Sequence, residues 1–210
     1  MTDHHTHPRP GTGAGDRFLF VGETLALDFV NTEMRIRGKP VDSLVTGPDY
    51  TDWWQAARNR YPEVTTHLAS AEANPVLVSP ARELRGALRR VFEAVASGQG
   101  APPGDLAVLN RTLDAAHDRV DVAGDGTYRA VRVGDRRAAD GPLLAVARSA
   151  LDLLTGADLD RLHKCANERC VLLFCDTTRS NTRRWCSTAC MNRARSVANY
   201  RARIARSHSS

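Results

Sequence analysis

The chain has 210 residues, an apolar fraction of 42%, a charged fraction of 25% and a formal net charge of +5. These values are ordinary for a globular protein, so they exclude a wholly disordered chain, a collagen and a disulfide-rich scaffold. No apolar run approaches the ~20 residues of a membrane-spanning helix, and the first residues lack the apolar stretch of a secretory signal. The composition therefore predicts a cytoplasmic protein without a membrane segment.

The positive charge is concentrated towards the C-terminal end. Residues 161–210 carry eleven Lys and Arg residues against Glu168 and Asp176, a net charge of +9, whereas residues 1–160 have a net charge of −4. A basic segment that contains so few acids favours contact with a polyanion such as a nucleic acid.

The first predicted elements include a short, mostly apolar segment over residues 25–31. Residues 1–16 are rich in Gly, His, Pro and Thr and predict a disordered lead-in. A strand is predicted over residues 18–21, followed by a short helix that Thr24 caps. Asp28 and Asn31 are polar residues within this segment. They are candidates for lining a small-molecule pocket, and the alternative interpretation is that they cap local backbone groups.

Apolar periodicity and capping signals then predict four helices and a hairpin. The predicted elements are a helix over residues 49–60, a helix that opens at Ser79-Pro80 and ends before Ser97, a helix from about Asp105 to His117, a hairpin that joins residues 120–123 to residues 127–133, and a helix between Gly141-Pro142 and Gly156. Of the adjacent Trp53 and Trp54, we expect one in the core and one half-exposed. Residues 17–156 thus predict one mostly helical α+β domain with a small sheet.

All five cysteines lie in the basic segment. Four of them form two short pairs, Cys165 with Cys170 and Cys186 with Cys190. Because thiols stay reduced in the cytoplasm, pairs at this spacing indicate a metal site rather than disulfides. Four thiolates suit one structural Zn²⁺ without an open coordination position, so the sequence predicts a zinc site and no enzyme. Cys175 lies in an apolar run and is predicted to pack as a small hydrophobic side chain.

The order of elements around the cysteines predicts a treble-clef-like zinc finger over residues 157–210. Its predicted parts are a knuckle between the first two cysteines, a strand over residues 171–175, a return strand over residues 182–185, and a C-terminal helix. Ser187 or Thr188 is predicted to cap this helix. Cys190 would lie on its first turn, and Val197, Tyr200 and Ile204 would share one face. These apolar residues are few for an independent core. We therefore expect metal binding and folding of this segment to be coupled.

Seven arginines of this segment are candidates for contact with phosphates, because guanidinium groups without neighbouring acids suit a nucleic-acid backbone. They are Arg179, Arg183, Arg184, Arg193, Arg195, Arg201 and Arg203. For Arg193, an alternative role is an ion pair with Asp176. The leading interpretation is a DNA-binding protein, and the alternative is an interaction module that binds RNA or an acidic protein.

Five motifs occur in a fixed order along the chain. They are LALDFVNT at residues 25–32, Cys165-Ala166-Asn167 with Cys170, LFCDTTR at residues 173–179, RWCS at residues 184–187, and Cys190-Met191-Asn192-Arg193. With these motifs the chain resembles the CGNR zinc-finger proteins that carry an N-terminal ABATE domain, although Met191 stands where Gly is usual. The resemblance implies a stress-response transcriptional regulator with a DNA-binding finger. By analogy with other two-part regulators, it implies an N-terminal sensor for a small molecule, and a homodimer is a further expectation.

Overall fold

The structure is a computed structural model that describes residues 17–36, 38–65, 75–114, 116–122, 128–134, 141–157 and 159–207. The predicted lead-in, residues 1–16, lies outside the described residues, as does the predicted turn at residues 124–126. We call residues 17–157 the body and residues 159–207 the finger. None of the helices in the described ranges has the length and apolar character needed to cross a membrane.

Helices make up most of the described chain, and each sheet has two antiparallel strands. The helices are α1 (Leu25–Val30), α2 (Gly47–Arg60), α3 (Pro62–Thr65), α4 (Val78–Ala96), α5 (Pro103–Asp114), α6 (Pro142–Thr155) and α7 (Thr188–Ser207), with 3₁₀ helices at Pro75–Leu77 and Leu159–Arg161. The sheets pair β1 (Glu33–Ile36) with β2 (Lys39–Asp42), β3 (Ala116–Val122) with β4 (Tyr128–Gly134), and β5 (Leu162–Lys164) with β6 (Leu173–Cys175). The predicted α+β class is confirmed.

The centre of the body is α1, whose residues are all buried and which packs against α4 and α6. Thr24 caps this helix as predicted, since its hydroxyl accepts a hydrogen bond from the Leu27 amide at 3.3 Å. Trp53 and Trp54 of α2 are both buried, with ring centroids 5.0 Å apart in an edge-to-face arrangement. The expectation of a half-exposed tryptophan was wrong, because Trp54 also packs against Tyr50.

Several predicted helix bounds differ from the structure. Thr46 and Asp49 form a capping box, so α2 begins two residues earlier than predicted, at Gly47. Ser79, the predicted cap of α4, lies inside the helix, because a 3₁₀ turn continues directly into it. His117, predicted in α5, lies in β3.

The β1–β2 hairpin was not predicted, because Gly38 and Pro40 favoured a loop. Gly38 has a φ of 82° and turns the chain, while Pro40 pairs with Arg35 in a sheet of two strands, where a missing N–H is tolerated. Arg85 of α4 is buried, and its guanidinium donates to the two carboxylate oxygens of Asp42 at 2.6 and 2.8 Å. This ion pair holds the hairpin against α4.

Residues 18–21, predicted as the first strand, form no strand. The Asp28 carboxylate accepts hydrogen bonds from the amides of Val21 at 2.8 Å and Gly22 at 2.6 Å, and the Tyr61 hydroxyl donates to its other oxygen. Because a side chain binds these two amides, they do not donate to a neighbouring strand. Burial raises the pKa of Asp28 to about 7, although the donated hydrogen bonds oppose this shift.

Strand β6 joins the finger to the body. One of its edges pairs with β5. On the other edge, the Asn31 side chain accepts from the Leu173 amide at 3.0 Å and donates to the Leu173 carbonyl at 2.8 Å, and the Cys175 amide donates to the Gly22 carbonyl at 3.1 Å. Residues 182–185, predicted as the return strand, form no strand, because both edges of β6 are occupied.

Candidate metal centre

The four paired cysteines of the finger converge on one point. The sulfur atoms of Cys165, Cys170, Cys186 and Cys190 all lie within 4.8 Å of one another. The Sγ atoms of Cys170 and Cys186 are 3.8 Å apart. A tetrahedral ion with Zn–S bonds of ~2.3 Å requires sulfur atoms separated by ~3.8 Å. The cluster therefore fits one four-coordinate metal ion with thiolate ligands.

Short local hydrogen bonds position the ligands. The Cys165 amide donates to the Leu172 carbonyl at 2.9 Å, and the Cys170 amide donates to the Asn167 carbonyl at 2.7 Å, which closes the first knuckle. At the second pair, the Ser187 hydroxyl accepts from the Cys190 amide at 3.2 Å and caps α7. Cys190 thus lies on the first turn of α7, as the capping signal predicted.

Three N–H groups point at the ligand sulfurs. The Cys186 amide donates to the Cys165 sulfur at 3.5 Å, the Asn167 side chain donates to the Cys190 sulfur at 3.4 Å, and the Arg193 guanidinium lies 3.8 Å from that same sulfur. Such donors stabilise negative charge on thiolates and orient metal ligands. The alternative partner of Arg193, Asp176, instead accepts from the backbone amides of Thr178 and Arg183.

Mutual hydrogen bonds shift the pKa values of three of these thiols, Cys165, Cys170 and Cys186. Hydrogen bonding to the Cys165 sulfur raises the pKa of Cys170 and of Cys186, and the bonds from these two thiols lower the pKa of Cys165. Several thiolates at this separation repel one another unless a cation lies between them. Binding of a divalent metal ion would therefore release protons from the cluster.

Apolar side chains from the body complete the surroundings of the cysteines. Met34 of β1 packs in one buried cluster with Leu172, Phe174 and the metal-ligand cysteines, and the partly buried Val21 and Val41 lie against it. Leu173 and Cys175 belong to the main core of the body, which confirms the predicted packing of Cys175 as a buried side chain. The metal site is thus built on the surface of the body.

Charged side chains of α4 reinforce this junction. The Arg89 guanidinium donates to the carbonyls of Val30 and Glu33 in the body at 2.7 Å, and to the carbonyl of Val171 in the finger at 3.1 Å. Lys164 pairs with Glu93 at 2.9 Å. These links were not predicted, because nothing in the sequence pattern separates a bridging arginine from a solvated one.

Arg183, predicted to contact a nucleic acid, is engaged within the protein. Its guanidinium donates to the carbonyls of Trp185 at 3.1 Å and Cys186 at 2.5 Å, and it pairs with Glu23 at 3.1 Å. The guanidinium also lies 4.6 Å from the centre of the Phe174 ring. We therefore interpret Arg183 as a positioning residue for the ligand Cys186.

The other six candidate arginines have exposed side chains. They are Arg179, Arg184, Arg193, Arg195, Arg201 and Arg203. Arg184 lies over the Trp185 ring, Arg203 lies over the Tyr200 ring, and Arg201 pairs with the exposed Glu168 at 3.1 Å. These contacts are at the surface, so the guanidinium groups stay accessible, and their contact with phosphates stays a prediction.

The polar atoms of Asp28 and Asn31 bind groups of the protein itself, which agrees with the interpretation that they satisfy backbone groups. An open cleft of about 440 Å³ lies beside the start of α4, lined by Glu33, Val78, Ser79, Arg82, Glu83 and Arg85. Neither Asp28 nor Asn31 lines this cleft, and the role of the two residues in a ligand pocket stays a prediction.

Comparisons with known proteins give two family matches. The model of the ABATE family, described as "Putative stress-induced transcription regulator", matches residues 23–157, which is more than half of the chain. The model of the CGNR zinc finger matches residues 161–204. The comparison with curated proteins finds no match. The resemblance inferred from the motifs is confirmed by these two matches.

Proposed function

The chain belongs to the ABATE family and carries a CGNR zinc finger, and we propose that it is a transcription regulator whose zinc-bound finger binds duplex DNA. The observation that carries the proposal is a segment built around four clustered cysteines, whose exposed side chains are rich in arginine and poor in acids. A role in a stress response comes from the family description and is part of the proposal.

The proposed metal is one Zn²⁺ held by the four clustered cysteines. All-thiolate tetrahedral sites suit this ion, which is redox-inactive. Four protein ligands leave no open position for water or substrate, so the proposed role of the ion is structural and we propose no catalytic activity. The ion would fix the first knuckle against the start of α7.

The electrostatic support lies on α7 and on the segment before it. Helix α7 contains five arginines and no acidic residue. Arg179 and Arg184 are exposed just before this helix. Phosphate contacts of this kind supply most of the sequence-independent affinity of a DNA-binding protein, and they make the affinity dependent on salt.

The test measures the affinity of the metal-loaded full chain for duplex DNA over a range of salt concentrations. We expect log K to fall linearly with log salt, with a slope of about −0.9 for each phosphate neutralised. The double variant Arg179→Ala/Arg184→Ala should reduce the magnitude of that slope by about 2. The matched control is Arg35→Ala/Arg111→Ala, which removes two exposed arginines from the body and should leave the slope unchanged.

The same measurement separates the alternatives. Tighter binding of RNA, or of an acidic polypeptide, at equal salt would contradict the proposal and favour the interaction module. If the finger variant and the body variant have the same slope of log K against log salt, Arg179 and Arg184 do not contact phosphates. The sensor role of the N-terminal domain and the homodimer stay predictions, which ligand screening and sedimentation would address.

A further inference from the structure

One face of α7 carries only long or polar side chains. At 3.6 residues per turn, Asn192, Arg195, Asn199, Arg203 and Arg206 fall within about 80° of one another around the helix axis. All five residues are exposed. We call this set the Asn/Arg face.

The Asn/Arg face points away from the metal and from the body. Its centre lies about 180° around the helix from Cys190, the buried metal ligand. The partly buried residues Ala194 and Val197 lie on the Cys190 side. Arg201 is on that side as well, where it pairs with Glu168 of the first knuckle.

Within the described residues, the side chains of Asn192, Arg195, Asn199 and Arg206 have no hydrogen-bond or ion-pair partner. Their polar atoms are therefore available to a ligand. The face is also extended, because about 1.5 Å of rise per residue places Arg206 about 21 Å beyond Asn192 along the axis.

The arginine and asparagine side chains of this face suit the base edges of duplex DNA. Arginine binds the O6 and N7 atoms of guanine with two hydrogen bonds, and asparagine binds the N6 and N7 atoms of adenine in the same bidentate way. The major groove of B-DNA exposes these atoms and is wide enough for an α-helix. The absence of acidic residues from α7 makes its charge complementary to the groove walls.

We infer that the Asn/Arg face reads base pairs in the DNA major groove, with asparagines directed at adenines and arginines at guanines. This inference rests on the proposed function and adds to it the element and the face that give sequence specificity. Arg179 and Arg184 lie outside this face and contact the phosphate backbone in the same complex. Their contacts carry no sequence information.

The test selects duplexes from a random-sequence pool with the metal-loaded full chain. The affinity is then measured for the selected duplex and for each of its single-base-pair changes. Asn199→Ala should abolish the preference for an A·T pair at one position, roughly tenfold to a hundredfold, without changing the salt slope. Arg195→Ala should relax the preference for a G·C pair at another position.

Arg201→Ala is the matched control, because it removes an arginine from the opposite side of the same helix. It should weaken binding to all sequences equally and preserve every base preference. The metal content of each variant should equal that of the parent protein, since all three side chains are exposed.

The outcomes separate the inference from the proposed function. If the parent binds duplex DNA but Asn199→Ala and Arg195→Ala keep all base preferences, the inference is overturned and the proposed function stands. If Arg201→Ala alone changes a base preference, the other side of α7 faces the bases, which also overturns the inference. If the parent binds no duplex DNA, the proposed function and the inference both fail.

Discussion

The body and the finger are stabilised in different ways. The body buries α1 and the aromatic side chains of α2 against α4 and α6, so its stability comes from apolar packing. The finger buries the side chains of Leu162, Leu172, Leu173 and Phe174, and all four pack in clusters that include side chains of the body. The remainder of the finger depends on four cysteines and on hydrogen bonds.

This difference refines the expectation that metal binding and folding of the finger are coupled. Strand β6 lies in the core of the body, the cysteines lie at its margin, and the second half of α7 is fully exposed. The stability of the finger should therefore decrease from β6 outwards. Most helical stability in proteins comes from tertiary packing, and the second half of α7 has only exposed side chains, so α7 depends on its first turn, which carries Cys190.

The largest effect should follow loss of the metal. A chelator under reducing conditions removes the metal, whose binding is worth roughly 10–16 kcal/mol in zinc-finger peptides, and Cys190→Ser weakens that binding by removing one of the four thiolates. We expect α7 to lose protection from hydrogen exchange while α4 and β6 keep theirs, because β6 is bound by the body. Exchange measured with and without metal checks this expectation.

Cys175→Ala is the control for that experiment. This variant removes a buried thiol outside the metal cluster, so it should retain a full equivalent of metal at a cost of about 1 kcal/mol in stability. We expect the stability of the finger to decrease from β6 outwards. Cooperative unfolding of the whole chain on metal removal would contradict this expectation, and so would an α7 that stays protected from hydrogen exchange without metal.

A smaller effect should appear in the pH dependence of the body. Burial raises the pKa of Asp28 to about 7, whereas the unfolded value is about 4. The folded state therefore binds the proton more tightly, so this stabilising contribution is complete below about pH 4 and is lost as the pH rises through 7. The loss amounts to about 4 kcal/mol, which urea unfolding between pH 4 and pH 8 would measure.

Asp28→Asn should flatten this pH dependence. The amide oxygen can accept from Val21 and Gly22, and the amide nitrogen can donate to the Tyr61 hydroxyl, which in the parent protein donates to the Asp28 carboxylate. Asp152→Asn, an exposed position on α6, should retain the parental slope. Identical slopes of stability against pH in all three proteins would show that folding does not raise the pKa of Asp28.

The sequence predicted the features that depend on local patterns. The Cys165–Cys170 and Cys186–Cys190 spacings indicated the metal cluster, since each pair needs only one turn of chain to bring its sulfurs together. Apolar periodicity located α4, α6 and α7, although it misplaced some ends. Contacts between distant segments were not predictable, because Asn31 and Leu173 are 142 residues apart and no local pattern pairs them.

The buried arginines illustrate the same limit. Arg85 and Arg89 lie next to the apolar stripe of α4 and bind the hairpin and the finger. In a chain whose 29 basic residues are nearly all arginine, the residue type gave no signal of burial. The contacts of Arg183 with Glu23 and Cys186 were not predictable for the same reason, since they depend on the packing of the finger against the body.

The bond between Asn31 and β6 gives the most direct test of the junction. Asn31→Ala leaves the amide and the carbonyl of Leu173 buried without these partners, which should cost about 3 kcal/mol of stability. Because the same substitution releases one edge of β6, it should also weaken metal binding, measured by competition with a chelator. Asn110→Ala, an exposed asparagine of α5, is the control and should change neither quantity. If Asn31→Ala lowers stability but leaves metal affinity at the parental value, the body does not position the metal ligands, and the finger is organised by its own hydrogen bonds.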